Sequence, residues 1–166
     1  KGGCLGCCKC AFDNECVYDG KDGFRDLIET KVTAADVLIF AGAVVDRHLS
    51  WKWRQFFDRA FYRGHLPLVI GKQCAYIISG PWAHLQTSRQ IFQAYAELGP
   101  TNLVDFVTDE SEDSAQVDAL LDSLARRMMT YAKQGYLRPQ TFLHIGGSKL
   151  FRDEIWGPMR MVFQAD

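Results

Sequence analysis

The sequence predicts an α/β fold built around a parallel sheet. Two short apolar runs at 37–42 and 74–78 and a third predicted strand at 103–107 alternate with segments of helical periodicity. Continuous apolar runs are typical of strands buried on both faces, and their alternation with helices indicates a parallel sheet with crossover helices. With 166 residues, the chain is long enough for one domain with a sizeable core.

The helices follow from apolar spacing and from their boundary residues. A short helix is predicted over 22–31, and a second helix begins near Ser50, a plausible N-cap. Thr87 and Gln90 have the spacing of a capping box at the start of a third helix, which Gly99 ends. The last periodic segment covers 117–131, and Gly135 ends it.

The two ends of the chain do not follow this alternation. Residues 1–20 combine glycines with cysteines and show no apolar period, so we expect an irregular loop there. We therefore expect a domain over 1–138 that begins with this cysteine-rich loop. Residues 139–166 form a C-terminal extension, which we expect to pack on the domain or on a partner subunit.

Charge and hydropathy exclude several classes of partner. Nineteen basic residues against twenty acidic residues leave a net charge of −1. Such a balance gives no electrostatic reason to expect nucleic acid or an anionic membrane as a partner. The longest uninterrupted apolar run, Val37–Val45, is too short to cross a bilayer.

The cysteines carry the strongest functional signal. Four of them follow the spacing C-x2-C-x2-C-x5-C, at Cys4, Cys7, Cys10 and Cys16. An iron–sulfur cluster needs four thiolates that converge on a compact core, and a glycine-containing loop with two-residue spacings can supply three of them. We therefore predict that these four cysteines bind an iron–sulfur cluster, in a reducing compartment such as the cytoplasm.

Other interpretations of the cysteines stay open. They can be free thiols that line a pocket without metal, or zinc ligands, although structural zinc sites usually pair two separated C-x2-C knuckles. Disulfides are a further alternative, but neighbouring cysteines would close only very small loops. Cys8 is a fifth candidate ligand, whereas Cys74 starts a buried strand and is expected to be a packing residue.

Several motifs together resemble one family. They are the cysteine loop at 3–16, the Ala-Asp-plus-apolar strand at 35–40, the Ser-x-Lys-x-x-x-Phe-x-Asp-Arg pattern at 50–59 and the strand and loop at 77–81. In this combination the chain resembles the iron–sulfur flavoproteins of the NADPH-dependent FMN reductase group. The segment 146–153 is similar to an extension seen in some members.

The resemblance implies a flavodoxin-like, doubly wound parallel sheet with FMN at the carboxyl ends of its strands. Ligands of open α/β sheets bind at such ends. The expected FMN contacts come from the loops at 43–48 and 79–84, with the Trp82 ring as a candidate for stacking. They are Ala43, Val44, Val45, Asp46, His48, Ser50, Ser79, Gly80, Pro81 and Trp82.

Two departures from the family pattern matter. The family begins with a strand and a serine-rich loop that holds the FMN phosphate, and that strand would precede Lys1. Members often carry Pro-x-Tyr where this chain has Ala43, Val44 and Val45, so the contact with the flavin ring is expected to differ.

The sequence thus predicts an FMN-dependent oxidoreductase that passes electrons between FMN and a [4Fe–4S] cluster. Its expected partners are NAD(P)H or an electron-donor or electron-acceptor protein, and the apolar tail favours a homo-oligomer. Two alternatives stay open: an NAD(P)H-dependent FMN or quinone reductase without a cluster, and a non-catalytic metal-binding module of a larger complex. Asp58 and Arg59 are expected to form a structural ion pair or helix-end anchor.

Overall fold

A computed structural model describes residues 1–64, 66 and 68–163 of the chain. The strands are β1 (Val37–Val45), β2 (His48–Leu49), β3 (Gln73–Ser79) and β4 (Asn102–Thr108). The helices are α1 (Lys9–Asp13), α2 (Phe24–Asp26), α3 (Trp51–Ala60), α4 (Gln86–Leu98), α5 (Ser114–Gln134) and α6 (Phe142–Trp156). A π-helix, Leu27–Val32, continues α2, and short 3-10 turns occupy Phe61–Arg63 and Trp82–His84.

The sheet has the order β2-β1-β3-β4, and its three long strands are parallel. In the register of β1 against β3, Val37 pairs with Gln73 and Ala43 pairs with Ser79. The short β2 is antiparallel to the end of β1. The predicted α/β class with a mostly parallel sheet is therefore confirmed.

One face of the sheet carries the larger core. Helices α3 and α4 pack there, and Phe92 of α4 is fully buried among Tyr76, Ile78 and Trp82. Gly42 lets α3 approach β1 closely, because a Cβ atom at this position would lie 2.4 Å from Nε1 of Trp53. Apolar burial of this kind is the main force that holds such layers together.

The opposite face is covered only in part. Helix α5 packs Leu124 and Met128 against Ala75 and Val107 of β3 and β4. On β1, Ile39 remains 53% exposed. The expectation that the first strand is buried on both faces is therefore wrong for β1, because α5 packs mainly on β3 and β4 and only the Val37 end of β1 joins its cluster.

Two local predictions are wrong, and one segment is more regular than expected. Residues 1–20 are not wholly irregular, since α1 lies within them. The capping box does not form, because α4 begins at Gln86 with Leu85 as its N-cap. The C-terminal extension contains the helix α6, which packs on α4 and places Ile155 against Ala11 of α1.

Candidate metal centre

The cysteine segment folds into tight turns that are anchored at one end. Gly6 adopts a left-handed conformation (φ 62°), as does Cys8 (φ 55°), which precedes α1. The backbone N–H of Gly6 donates to the Cys4 sulfur at 3.4 Å. Ala11 of α1 is buried in a small apolar cluster with Ile155 and Phe163, so the C-terminal extension holds this segment in place.

The turns bring all four predicted ligands to a single cavity. Its volume is about 360 Å³, part of which is open to solvent. We call it the cysteine pocket; it is lined by Cys4, Leu5, Cys7, Cys8, Cys10, Cys16, Val17, Tyr18, Asp58, Arg59, Phe61 and Tyr62. Cys8 also faces this cavity, but its thiol donates to the Gly6 carbonyl at 3.7 Å. Within the described part of the chain, no three Cys, His, Asp or Glu side chains are arranged to hold a metal ion.

The sulfurs of the pocket influence one another electrostatically. Burial raises the pKa of the Cys10 thiol above its ordinary value, and the charges of Cys4, Cys16 and Cys7 raise it further. Like charges in one site disfavour ionisation, whereas a bound metal stabilises thiolates. The pocket is therefore a site at which ionised cysteines need positive charge beside them.

One positive charge comes from Arg59, at the end of α3. Its side chain is only 4% exposed and makes two hydrogen bonds to Asp22, at 2.6 and 3.1 Å. The rings of Tyr18 and Phe24 lie 4.8 and 4.3 Å from the guanidinium carbon. Arg59 thus forms a structural ion pair, as expected, but its partner is Asp22 rather than the neighbouring Asp58.

The ion pair shifts the protonation equilibria of both members. Hydrogen bonds from Arg59 hold the pKa of the Asp22 carboxyl well below its usual range. Burial lowers the pKa of Arg59, but the hydrogen bonds and charge of Asp22, followed by those of Cys16, outweigh burial and raise it. Arg59 is therefore a permanent cation beside the Cys16 sulfur.

The pocket contains the residue types that an iron–sulfur cluster requires, although their side chains are not brought together as a metal site. Four thiolates from one segment are the ligands that such clusters require, and N–H groups near the sulfurs are a common feature of cluster sites. The Gly6 N–H already donates to the Cys4 sulfur. Nε of Arg59 is buried without a hydrogen-bond partner, so a further donor is free beside the pocket.

The predicted FMN contacts lie at a second place, the carboxyl ends of β1 and β3. We call this region, residues 43–50 and 79–84, the carboxyl edge. Strand β1 turns at Asp46, which is left-handed (φ 58°), and returns as β2, so that Val45 pairs with His48. Ala43 and Val45 are exposed, and Val44 and Ser50 are half-buried.

Internal contacts occupy most polar groups of the carboxyl edge. The Ser79 hydroxyl and the Gly80 N–H both donate to the Asp109 carboxylate, at 2.5 and 2.8 Å. The N–H of Ala83 donates to Glu110 at 3.1 Å. In the sequence, the only signal for these two carboxylates is their position before a predicted helix.

The rings of the carboxyl edge are also engaged. Trp82 is only 2% exposed and packs in the core, with its ring centroid 5.7 Å from that of Phe92. The His48 ring packs against Phe92 as well, and its Nδ1 lies 3.0 Å from the Leu49 carbonyl oxygen. Pro81 is exposed. The structure therefore places Trp82 among core residues instead of at a surface where a flavin ring could stack.

The chain matches no protein-family model and none of the curated proteins with which it was compared. Among the helices of the described residues, none has the length and apolar character needed to cross a bilayer.

Proposed function

We propose that this chain is an FMN-dependent oxidoreductase or electron-transfer protein that holds a [4Fe–4S] cluster in the cysteine pocket. One observation carries the proposal: four cysteines at cluster-like spacing line one cavity together with a buried guanidinium. A cluster of this kind exchanges single electrons, and FMN connects one-electron carriers with two-electron hydride donors. The residues proposed to hold the cluster are Cys4, Cys7, Cys10 and Cys16.

The flavin half of the proposal has weaker support. The parallel order β1-β3-β4 is compatible with a flavodoxin-like sheet, in which ligands bind at the carboxyl ends of the strands. Ala43 and Val45 are exposed apolar residues at this position. Ser79 and Gly80, however, already donate to Asp109, so they contribute to a flavin site only if this contact opens.

The proposed partners follow from the same chemistry. Electrons would come from, or go to, NAD(P)H or another redox protein. A homo-oligomer is proposed because α6 leaves large apolar side chains in water, with Phe142 83% exposed and Trp156 80% exposed.

The proposal is tested by anaerobic purification of the wild type, Cys10→Ala and Cys74→Ala. Cys10 lines the cysteine pocket, whereas Cys74 is buried in the core, so the second variant is a matched control. We expect the broad visible absorption of a cluster in the wild type and in Cys74→Ala, and its loss in Cys10→Ala. Flavin absorption without cluster absorption in the wild type would support a cluster-free reductase instead, and a colourless wild type would contradict the proposal.

A further inference from the structure

Arg59 has a place in the cysteine pocket that a structural ion pair does not fully explain. We propose that Arg59 is a positioning residue, which directs its free N–H toward the Cys16 side of the pocket and raises the reduction potential of the cluster held there. This inference rests on the proposed function and assigns a role to one residue of the same site.

The first support is the incomplete hydrogen bonding of the guanidinium. Two of its nitrogens, Nη1 and Nη2, donate to Asp22, while Nε is buried and has no partner. A buried donor without an acceptor is costly, so its retention calls for an explanation. Because Arg59 lines the cysteine pocket, an anionic occupant of that cavity would supply the missing acceptor.

The second support is the rigidity of the charge. Asp22 and the rings of Tyr18 and Phe24 hold the guanidinium on several sides. Cys16, one of the four predicted ligands, is close enough to contribute to the raised pKa of Arg59. Arg59 therefore presents a fixed positive charge to the pocket with little freedom to turn away.

A fixed cation changes the redox equilibrium of a cluster in a predictable direction. A four-iron cluster with four thiolates is negatively charged, and it becomes more negative when it accepts an electron. Net charge and hydrogen bonds to the sulfurs are among the factors that set cluster potentials. Arg59 should therefore stabilise the reduced form more than the oxidised form, and its loss should make the potential more negative.

The chain provides a matched control one turn further on. Arg63 also pairs with a carboxylate, Glu29 at 2.6 Å, lies 5.6 Å from the Tyr62 ring and has a buried Nε without a partner. Unlike Arg59, it is not among the described residues that line the cysteine pocket. A general effect of losing an arginine that is paired with a carboxylate would appear at both positions.

The experiment is a redox titration of the anaerobically purified full chain, followed by the electron paramagnetic resonance signal of the reduced cluster. The variants are Arg59→Gln with Asp22→Asn, and Arg63→Gln with Glu29→Gln, so that neither leaves an unpaired carboxylate. We expect the first pair to lower the equilibrium constant for cluster reduction about tenfold, which is about 59 mV for one electron. The second pair should leave the potential unchanged.

Arg59→Lys separates charge from geometry, since lysine keeps the positive charge but lacks the planar donor group. We expect this variant to lie between the wild type and the double variant. Equal potentials in the wild type, both double variants and Arg59→Lys would overturn the role of Arg59 while leaving the cluster in place. Absence of iron and sulfide from the wild type would instead refute the proposed function, and the inference with it.

A measurement on the wild type does not depend on whether the variants fold. In protein labelled with ¹⁵N in the arginine guanidinium groups, the reduced cluster should show a hyperfine coupling to ¹⁵N. This coupling should persist in the Arg63 variant. A cluster with no ¹⁵N coupling would overturn the inference.

Discussion

The cysteine pocket and the carboxyl edge differ in how their polar groups are satisfied. Five cysteines and Arg59 line the pocket, and Nε of Arg59 is buried without a hydrogen-bond partner. At the carboxyl edge, Ser79, Gly80 and Ala83 already donate to Asp109 and Glu110. The comparison shows that polar groups of the second region are paired with neighbouring carboxylates, whereas the first region keeps a buried donor that has no partner.

The largest effect is expected at Trp82, which tests whether the carboxyl edge is part of the core. Because its ring is buried against Phe92 and Phe106, Trp82→Ala should lower the free energy of unfolding by about 3–5 kcal/mol. The control is Trp51, which is 69% exposed. Trp51→Ala should change the free energy of unfolding by no more than about 0.5 kcal/mol. Urea unfolding measures the free energy of unfolding of both variants. If Trp82→Ala lowers it as little as Trp51→Ala does, Trp82 is not a core residue.

The next effect concerns the wall of the cysteine pocket. Asp22→Ala leaves the Arg59 charge buried without a partner and should cost about 2–3 kcal/mol, less than for a fully buried pair because water still reaches Asp22. Asp13 pairs with Lys9 at an exposed position, so Asp13→Ala should leave the thermal midpoint almost unchanged. An equal loss of stability in Asp22→Ala and Asp13→Ala would show that the pair of Asp22 with Arg59 stabilises the fold no more than an exposed pair does.

The same pair predicts a pH dependence. Since Arg59 lowers the pKa of Asp22 in the folded state, the pair stabilises the fold above the unfolded pKa of about 3.9. This contribution should be lost as the pH falls from about 4 through the lower folded pKa. Across this range, the free energy of unfolding should fall more steeply with decreasing pH for the wild type than for Asp22→Asn. Identical slopes in the two proteins would contradict the stabilising role of the Asp22–Arg59 pair.

A smaller effect is expected where the ends of β1 and β3 meet. Gly80 has a φ of 105°, and a Cβ atom there would lie 3.2 Å from Cβ of Val44. Gly80→Ala should therefore cost about 1–3 kcal/mol. Gly71 also has a positive φ, 82°, but open space around it, so Gly71→Ala isolates the backbone strain. Equal losses of thermal stability would show that the contact with Val44 contributes nothing.

The smallest effect is expected at Asp109, where the closed state of the carboxyl edge can be released. Asp109→Ala removes the acceptor of Ser79 and Gly80 and should cost about 1 kcal/mol. If the freed donors belong to a flavin site, titration with FMN should show tighter binding in this variant than in the wild type. The control is Asp118→Ala on α5, which should leave FMN affinity unchanged, and unchanged affinity in Asp109→Ala would count against a flavin site here.

The sequence predicted the elements whose apolar patterns are local. Strands β1 and β3 follow from continuous apolar runs and β4 from a short segment rich in apolar residues, and Gly99 and Gly135 end their helices where expected. It did not predict α6, because Gly146 and Gly147 interrupt any helical period, while its N-cap is set by Thr141 and by the bond of this residue to the distant Glu97.

In the candidate site too, local patterns can be predicted from the sequence and long-range contacts cannot. The spacing of the cysteines is a local pattern, and Cys4, Cys7, Cys10 and Cys16 line one cavity; their role as metal ligands stays a prediction. The ion pair between Asp22 and Arg59 joins residues 37 positions apart, and no local pattern predicts such a partner. The burial of Trp82 likewise depends on α4 and β4, which contact it only in the folded chain.

The most direct test of the central claim is the iron and acid-labile sulfide content of the anaerobically purified wild type. If the cysteine pocket holds a four-iron cluster, each chain should carry about four iron and about four sulfide ions. Protein that contains zinc, or neither iron nor sulfide, after anaerobic purification and reconstitution would contradict it.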